Sequence, residues 1–339
     1  MQKILVTGGA GYIGSHTVVA LHEAGFEPVI VDNFSNADKS AIDGIKAILQ
    51  KSPTLYQGDC NDAAFMDQVF AKEGKIAGVI HFAASKAVGE SVQKPIQYYA
   101  NNINSLLVLL QTMEKHQCPH LVFSSSCTVY GQPDELPVTE ATPKKQATSP
   151  YGNTKAVCEE ILEDAVTAKY PIKAIALRYF NPIGAHPSAH IGELPIGVPN
   201  NLVPFVTQAA AGIREKITVF GNDYDTPDGT CLRDYIHVMD LADAHVKAFE
   251  FLEKQNQSSL IEYFNVGTGK PNSVLEVIQT FEEASGVKLN YELGPRRPGD
   301  VEQTYADVTK STKLLGWKAT RSLFESLRDA WNWQQKLSQ

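Results

Sequence analysis

Tyr151 and Lys155 are the residues whose types and spacing most directly suggest a chemical reaction. They form a Tyr-x-x-x-Lys pattern at the start of a segment with helical spacing, residues 151–162, so their side chains share one face of the predicted helix. Tyrosine is a poor base at its ordinary pKa of about 10, but a nearby ammonium favours the phenolate and lowers that pKa. Such a tyrosine can take a proton from an alcohol while a hydride leaves the same carbon.

Three consecutive serines, Ser124, Ser125 and Ser126, lie at the end of an apolar run that is predicted to be a strand, residues 120–124. In an open α/β sheet, ligands bind at the carboxyl ends of the strands. Hydroxyl groups at that edge can hold a substrate oxygen near Tyr151. The alternative is a serine-rich turn, and the residue pattern does not choose among the three serines.

A glycine-rich turn near the start of the chain is typical of a site for a dinucleotide pyrophosphate. Gly8, Gly11 and Gly14 follow the predicted strand Lys3–Thr7 and enter a segment with helical spacing, residues 13–24. Gly8 permits a tight turn, Gly11 lets the backbone approach the pyrophosphate, and Gly14 lets the helix lie close to the strands. The helix N-terminus offers free N–H groups and a partial positive charge, so this site needs no lysine or arginine.

Two acidic residues extend this nucleotide site. Asp32 ends the next predicted strand, 18 residues after Gly14, and a carboxylate there accepts hydrogen bonds from ribose hydroxyls and repels a 2′-phosphate. The three residues after it include no arginine that could hold such a phosphate, so the pattern predicts NAD rather than NADP. Asp59 has two interpretations of equal weight, a contact with the adenine side or a cap of the following helix.

A parallel sheet is needed to bring these residues to one edge. Short apolar runs alternate with helical stretches, which predicts a mostly parallel sheet with helices on both faces. The predicted strands are residues 3–7, 28–31, 54–56, 78–82, 120–124 and 172–177. The expected fold class is therefore α/β, a Rossmann-like doubly wound parallel sheet with a smaller C-terminal α/β substrate domain.

The alternation breaks after Phe180. Residues 181–201 are rich in proline and glycine, and an irregular segment of that length inside a compact domain indicates a function. Beyond it, the pattern predicts a helix at residues 235–252 and a strand at residues 262–266. We expect residues 1–180 to form a cofactor-binding domain to which residues 236–266 return, and residues 181–235 and 267–339 to form the substrate domain.

Composition narrows the class of protein further. The chain has 339 residues, of which 43% are hydrophobic and 20% charged, as in average globular proteins. A formal net charge of −8 makes nucleic acid and anionic membranes poor partners. Five cysteines without a Cys-x-x-Cys pair predict neither a disulfide framework nor a zinc site. We find no leader segment and no apolar run of bilayer length, and therefore expect a cytoplasmic protein without a metal.

Longer motifs resemble those of one family over essentially the whole chain. They are GGAGYIGS, HFAASKAVGES, FSSSCTVYG, SPYGNTK, LRYFNPIGAHPS, PNNLVPF, FGNDYDTPDGTCLRDYIHVMDLADAH, FNVGTG and PRRPGD. With these motifs the chain resembles the UDP-glucose 4-epimerases, which are extended short-chain dehydrogenase/reductases. The resemblance implies an isomerase that interconverts UDP-galactose and UDP-glucose by transient oxidation at hexose C4, with tightly bound NAD. It also implies a homodimer.

The resemblance assigns roles to individual residues. It implies a catalytic triad of Ser126, Tyr151 and Lys155, with Tyr151 as acid and base. The implied NAD contacts are Gly8, Gly11, Tyr12, Ile13, Gly14, Asp32, Asn33, Asp59, Cys60, Phe82, Ala83, Ala84, Lys86, Asn101, Ser124, Tyr151, Lys155, Tyr179 and Phe180. The implied contacts to the UDP-sugar are Lys86, Ser126, Tyr151, Asn181, Asn201, Leu202, Arg233, Tyr235, Arg297, Asp300 and Thr304. The two arginines offer planar forks that suit phosphate oxygens.

The chain departs from the family pattern at two positions. Cys127 stands where alanine is common, which exchanges one small residue for another, and Pro298 stands where glutamate is common and changes that loop. Thr304 falls at the position thought to gate the sugar pocket in these epimerases. Because threonine is small, we expect additional activity on UDP-N-acetylglucosamine and UDP-N-acetylgalactosamine.

Three other functions compete with epimerisation. The related nucleotide-sugar 4,6-dehydratases carry an Asp-Glu pair that eliminates water, and this chain has Cys127 and Thr128 at those positions. UDP-uronate 4-epimerases form a different sequence group and need a partner for the substrate carboxylate. A non-catalytic NAD-binding regulator would have lost the tyrosine or lysine of the Tyr-x-x-x-Lys pattern, and this chain has both.

Overall fold

Parallel strands flanked by helices dominate the computed structural model, which describes residues 1–297 and 301–338. The strands are β1 (Lys3–Thr7), β2 (Glu27–Asp32), β3 (Thr54–Gln57), β4 (Ile76–His81), β5 (His120–Ser126), β6 (Lys173–Tyr179), β7 (Asn181–Ile183), β8 (Ile217–Phe220), β9 (Leu232–His237), β10 (Leu260–Val266), β11 (Pro271–Ser273), β12 (Tyr291–Gly294) and β13 (Gln303–Thr304). The helices are α1 (Tyr12–Glu23), α2 (Ser40–Leu49), α3 (Ala63–Glu73), α4 (Val88–Gln93), α5 (Pro95–Lys115), α6 (Pro150–Thr167), α7 (Leu202–Ala210), α8 (Val238–Glu253), α9 (Val274–Ser285) and α10 (Leu323–Leu337).

The main sheet has seven strands in the order β10-β6-β5-β4-β1-β2-β3, and all of its pairs are parallel. The chain runs from β1 outward to β3 and then returns to β4 on the other side of β1. A crevice therefore opens at the carboxyl ends of β1 and β4, which is where such sheets bind nucleotides. This arrangement confirms the expected Rossmann-like doubly wound fold.

Helices cover both faces of the main sheet. On one face α1 and α8 pack together, and Val18, Leu21 and Phe249 are fully buried there. On the other face α3, α5 and α6 bury Phe70 and Leu109. Because the strands are covered from both sides, they are continuous apolar runs rather than alternating ones.

The structure corrects several boundaries predicted from the sequence. The segment at residues 235–252 does not begin as a helix: Leu232–His237 is strand β9, and helix α8 starts at Val238. The His237 ring marks this change, because its Nδ1 accepts a hydrogen bond from the Met239 backbone N–H (3.0 Å). The strand at 120–124 continues through Ser126, so the three serines belong to the strand, and the strand at 172–177 continues to Tyr179.

Strand β9 is the centre of a smaller sheet. It lies between β11 and β13 and also pairs with β7 through its residues Tyr235–His237, while α7, α9 and α10 surround a separate apolar cluster that includes Phe281 and Leu327. Strand β10 lies in the main sheet beside β6, which supports the expected return of residues 236–266. The exact division into domains stays a prediction. Along the described ranges no helix is both long enough and apolar enough to cross a membrane.

A buried carboxylate ties the segment before α10 to α8. The Asp240 side chain is 2% exposed and accepts hydrogen bonds from the backbone N–H groups of Thr320 (3.1 Å) and Arg321 (2.9 Å). The Thr320 hydroxyl and the Arg321 guanidinium complete its shell at 3.1 and 2.5 Å. Asp240 therefore fixes the approach of the C-terminal helix to the rest of the protein.

We expect Asp240→Ala to lower the free energy of unfolding by about 2–4 kcal/mol, because it leaves buried donors without an acceptor. Urea unfolding followed by circular dichroism measures this change. Asp243→Ala is the matched control, since Asp243 lies 3.6 Å from the same guanidinium but is 49% exposed, and it should cost less than about 1 kcal/mol. Equal losses in the two variants would contradict this role of Asp240.

Candidate active site

Helix α6 presents Tyr151 and Lys155 at the carboxyl edge of the main sheet. The helix starts at Pro150, and the Ser149 hydroxyl caps it by accepting a hydrogen bond from the Gly152 N–H (3.1 Å). The buried Lys155 Nζ donates to the Ser124 carbonyl oxygen at 2.7 Å. It also lies 5.9 Å from the centroid of the Tyr151 ring.

The surroundings shift the pKa values of both residues. Burial lowers the pKa of Lys155 to about 8, although Cys158 and Glu159 act in the opposite direction. Burial raises the pKa of Tyr151 above its ordinary value. Of the main influences on this pKa, only that of the Ser126 side chain lowers it. This direction differs from the sequence-based expectation, because loss of hydration disfavours the phenolate more than its neighbours stabilise it.

Each of the three serines contacts a different residue. The Ser126 side chain lies close enough to Tyr151 to lower the pKa of its phenol, the Ser125 hydroxyl donates to Glu159 Oε1 at 2.6 Å, and the Ser124 hydroxyl contacts the Tyr179 hydroxyl. Ser126 is thus the serine beside the Tyr151 phenol. The side chains were indistinguishable in the sequence, and their alternation along β5 separates them in the structure.

The turn between β1 and α1 is shaped as a close backbone cradle. Gly8 has a φ of +71°, and a Cβ there would lie 2.8 Å from the Ala83 nitrogen. A Cβ on Gly14 would lie 2.1 Å from the Gly8 carbonyl oxygen. Gly11 is the N-cap of α1 and provides no side-chain cap, so the first N–H groups of the helix, at Tyr12 and Ile13, face the crevice without a competing side chain.

The Asp32 carboxylate lies beside this cradle. Its two oxygens accept hydrogen bonds from the backbone N–H groups of Ala10 (2.9 Å) and Phe34 (2.8 Å). Burial raises the pKa of Asp32, and these two hydrogen bonds oppose the rise. The carboxylate is therefore held in one orientation, and each oxygen keeps a lone pair for a ribose hydroxyl.

Polar side chains connect Asp59 to the other predicted contacts on the adenine side. Asp59 accepts hydrogen bonds from the Asn33 side chain (3.2 Å) and from Asn61, and the Asn61 amide donates to Asn101 Oδ1 at 3.0 Å. The cap of α3 is Asp62, which accepts from two N–H groups of the first turn, so the helix-cap interpretation of Asp59 is wrong. Cys60 is buried next to this network, and burial raises the pKa of its thiol to about 12.

The residues after β4 form the opposite wall of the crevice. The Phe82 N–H donates to the Thr7 carbonyl oxygen at 3.0 Å, and Ala83 and Ala84 follow at half-buried positions. The Lys86 Nζ lies 6.0 Å from the Tyr12 ring centroid. Tyr179 and Phe180, at the end of β6, are buried nearby at the same edge of the sheet.

Strand β9 brings together four of the eleven predicted sugar-nucleotide contacts. Its Tyr235 is the register partner of Asn181 on β7, and its Arg233 is the register partner of Thr304 on β13. Arg233 also lowers the pKa of the Cys127 thiol, although burial outweighs this effect and raises that pKa to about 12. The strand pairing therefore brings Arg233 and Thr304 to the side of the site that contains Ser126 and Tyr151.

A buried aspartate that the sequence analysis did not single out holds this pairing. Asp234 accepts hydrogen bonds from the N–H groups of Thr268 (2.7 Å), Gly269 (3.0 Å) and Ala306 (3.2 Å). It therefore links β9 to the segment that contains Thr304. Its position inside the LRDYIH motif gave no indication of this role, because the partners lie more than 30 residues away in sequence.

Glu193 is a second residue that sequence reasoning missed. Its carboxylate accepts a hydrogen bond from the Asn201 amide at 2.9 Å and lies 3.8 Å from the Lys86 Nζ. Burial raises the pKa of Glu193, and both partners oppose that rise. Asn201 caps α7, and Leu202 is its first residue, so Glu193 connects the two predicted substrate contacts Lys86 and Asn201.

Arg297 is separate from these side chains in the structure. Its guanidinium carbon lies 5.7 Å from the centroid of the Phe220 ring, whereas the neighbouring Arg296 pairs with Asp223 at 2.7 Å. Asp300 and Pro298 lie outside the described residues. Within the described ranges, no group of three or more His, Cys, Asp and Glu side chains is arranged to hold a metal ion.

Comparison with known proteins identifies the relatives of the chain. A family model described as GDP-mannose 4,6 dehydratase matches residues 5–330. A UDP-glucose 4-epimerase of Cyamopsis tetragonoloba is 51% identical over 339 residues, which cover 99% of this chain and 95% of that protein.

Solved structures give the same result. The UDP-glucose 4-epimerase from Bifidobacterium longum, in complex with NAD⁺ and UDP, is 47% identical with a TM-score of 0.93, and the match covers 99% of this chain and 98% of that one. The enzyme from Stenotrophomonas maltophila, with bound NAD and formylated UDP-arabinopyranose, is 46% identical with a TM-score of 0.96, covering 100% and 99%. The chain belongs to the UDP-glucose 4-epimerase family.

Proposed function

We propose that this protein interconverts UDP-galactose and UDP-glucose by transient oxidation at hexose C4, with NAD retained between turnovers. The observation that carries the proposal is the position of the Tyr151 ring, whose centroid lies 5.9 Å from the buried Lys155 ammonium and whose phenol pKa is lowered by the Ser126 side chain. This group lies at the carboxyl edge of a sheet whose β1–α1 turn is a glycine cradle. The identity to proteins named UDP-glucose 4-epimerase supports the same reaction.

The crevice fits NAD in shape and in hydrogen bonding. A Cβ on Gly8 or Gly14 would collide with the backbone of Ala83 or of Gly8 itself, so only glycine allows the tight turn that presents backbone N–H groups to a pyrophosphate. Asp32 is oriented for ribose hydroxyls and repels a 2′-phosphate. When bound, NAD supplies a reversible hydride acceptor for C4 and a positive charge near the phenol.

Side chains of the protein transfer the proton and stabilise the negative charge that develops during the reaction. Tyr151 accepts the proton of the 4-hydroxyl as the C4–H bond breaks, and it returns that proton when the 4-keto sugar is reduced on its other face. Lys155 stabilises the phenolate, because its ammonium is held near the ring by the Ser124 carbonyl oxygen. Ser126 offers a hydroxyl to the same sugar oxygen. The sugar must turn over between the two half-reactions, so the enzyme has to hold UDP tightly and the hexose loosely.

We assign UDP recognition to β9 and its neighbours. Arg233 supplies a planar fork for phosphate oxygens, with Tyr235 and Asn181 paired next to it in register. Lys86, Asn201 and Leu202 complete the opposite side, and Arg297, which follows β12, and Asp300 are further proposed contacts.

Dehydration is the competing reaction, because the matching family model carries a dehydratase description. Dehydratases use an Asp-Glu pair to remove water, and Cys127 and Thr128 stand at those positions here. Burial raises the pKa of the Cys127 thiol to about 12, so it neither donates nor accepts protons readily near neutral pH. This chemistry favours epimerisation.

We also propose a cellular location and an oligomeric state. The thiols of all five cysteines are free, which favours the reducing environment of the cytoplasm. Ile96 and Leu107 on α5 are 78% and 40% exposed, which favours a homodimer that covers this helix.

Incubating the purified protein with UDP-galactose and no added NAD tests the proposed reaction. We expect UDP-glucose as the product, because retained NAD is regenerated in every cycle. Nuclear magnetic resonance of the sugar distinguishes the outcomes. A 4-keto-6-deoxy sugar would indicate dehydration instead, and an absolute requirement for added NAD would contradict a retained cofactor.

Tyr151→Phe should lower kcat by about 10²–10⁴-fold, because it removes the group that exchanges the proton. The bound NAD content should stay at the wild-type level, since the aromatic ring still fills the same space. Tyr291→Phe is the control, as Tyr291 is 43% exposed and lies on β12. A near wild-type rate in Tyr151→Phe would remove Tyr151 from this role.

We further propose activity on N-acetylated UDP-hexoses, because the side chain of Thr304 is small and lies beside Arg233. Thr304→Tyr should lower the ratio of kcat/KM for UDP-N-acetylglucosamine to that for UDP-glucose by at least about tenfold, since a bulky ring fills the space of the acetyl group. Coupled assays with the two substrates measure this ratio. An unchanged ratio would show that Thr304 does not set the size of the sugar pocket.

A further inference from the structure

A fully buried ion pair lies directly behind the catalytic residues. Glu159, on α6, and Arg178, on β6, have side-chain exposures of 0% and 3%. The guanidinium binds the carboxylate with two hydrogen bonds, Nε to Oε1 at 2.9 Å and Nη2 to Oε2 at 2.7 Å. Neither residue belongs to the proposed proton path. Stability alone is also a weak explanation for the pair, because the cost of removing two charges from water can exceed their mutual attraction.

Arg178 is fixed from several sides. Its guanidinium carbon lies 5.0 Å from the Tyr130 ring centroid and 4.4 Å from that of Tyr263. Its Nη1 donates to the Tyr130 hydroxyl at 3.1 Å and to the Glu140 carbonyl oxygen at 3.3 Å. The Glu159 carboxylate is therefore attached to a rigid group of the sheet rather than to a mobile side chain.

The pair completes a regular series of contacts between α6 and β5. Tyr151, Lys155 and Glu159 are spaced by four residues on one face of α6. Tyr151 contacts Ser126, Lys155 Nζ donates to the Ser124 carbonyl oxygen, and Glu159 accepts from the Ser125 hydroxyl.

The pairing of β5 with β6 connects these contacts to Arg178. Ser125 is the register partner of Arg178 in the parallel pairing of β5 and β6. Three turns of one helix thus hold three consecutive residues of one strand, and Arg178 holds the last turn from the neighbouring strand.

We propose that Glu159 and Arg178 are positioning residues, which fix the end of β5 against α6 and keep the Lys155 ammonium charged beside Tyr151. The proposal rests on the proposed epimerase function, since it assigns a task in that reaction. Glu159 acts through Lys155 and Ser125, and it touches neither substrate nor cofactor.

The charges around Lys155 support this role. Tyr151, Cys158 and Glu159 face it from α6, His81 from β4, and Tyr179 from β6 through Ser124. Burial lowers the pKa of His81 to about 3 and raises those of Cys158 and Tyr179 to about 11 and 12, and burial also raises that of Tyr151. His81, Cys158 and Tyr179 are therefore neutral near pH 8, and Tyr151 is the group that exchanges the proton. Glu159 is the remaining neighbour of this set, and its negative charge opposes the loss of the Lys155 proton.

Glu159→Gln in the NAD-loaded enzyme tests the proposal. Removing the anion lowers the pKa of Lys155, so the ammonium is lost at a lower pH. We expect the alkaline limb of the kcat–pH profile to move down by about one unit, and kcat at pH 8 to fall about fivefold. Bound NAD and KM should change less than about twofold, because neither ligand contacts Glu159.

Glu163→Gln is the matched control. Glu163 lies one turn further along the same helix, is 42% exposed and bonds Tyr263 and Lys144, so its replacement should leave the pH profile unchanged. Because Glu159→Gln leaves Arg178 buried without its counter-charge, the double variant Glu159→Gln/Arg178→Met is measured as well. It leaves no guanidinium buried without a counter-charge and should show the same alkaline shift.

A lower melting temperature with an unchanged pH profile, in either folded variant, would overturn the proposal and leave the pair a purely structural element. Failure of the proposed function is distinguishable, since the wild-type protein would then not convert UDP-galactose at all. An alkaline shift in Glu163→Gln as large as in Glu159→Gln would also overturn it, because the effect would then be a general one of charge on α6.

Discussion

The rest of the site depends on the contacts that stabilise the buried Lys155 ammonium. A charged amine without water is costly, and this protein compensates with the Ser124 carbonyl oxygen at 2.7 Å, the Phe123 ring face at 5.0 Å and the charge of Glu159. Each compensating group comes from β5 or from the same helix. Helix α6 therefore has to pack on β5 in one fixed relative position. The same packing places Ser126 beside Tyr151.

The placement of charge explains how an acidic chain can bind two diphosphates. The formal net charge is −8, yet the first diphosphate site is built from backbone, with Gly8 and Gly14 leaving no room for side chains and the N-terminus of α1 facing the crevice. We assign the positive charge of the second site to Arg233 on β9. Net charge thus governs the partners that the surface attracts and says little about ligands bound inside a crevice.

Much of this could be predicted from the sequence, because local patterns determined it. The glycine turn, the carboxylate at Asp32 and the Tyr-x-x-x-Lys pair are each short-range signals, and the alternation of strands and helices gave the doubly wound sheet. What could not be predicted depends on distant partners. The choice of Ser126 follows from the packing of α6, strand β9 is stabilised by β7, β11 and β13, and the Glu159–Arg178 pair joins residues 19 positions apart. The raised pKa of Tyr151 likewise follows from burial, which no spacing reveals.

Transfer of the hydrogen on C4 tests the central claim most directly. UDP-galactose labelled with deuterium at C4 is converted in ordinary water, and the label at C4 of the product UDP-glucose is measured by mass spectrometry and nuclear magnetic resonance. We expect the deuterium to be retained, because Tyr151 exchanges only the proton on oxygen while the hydrogen on carbon stays on the enzyme-bound cofactor. Replacement of the label by hydrogen from water would contradict oxidation and reduction at C4 within a closed site.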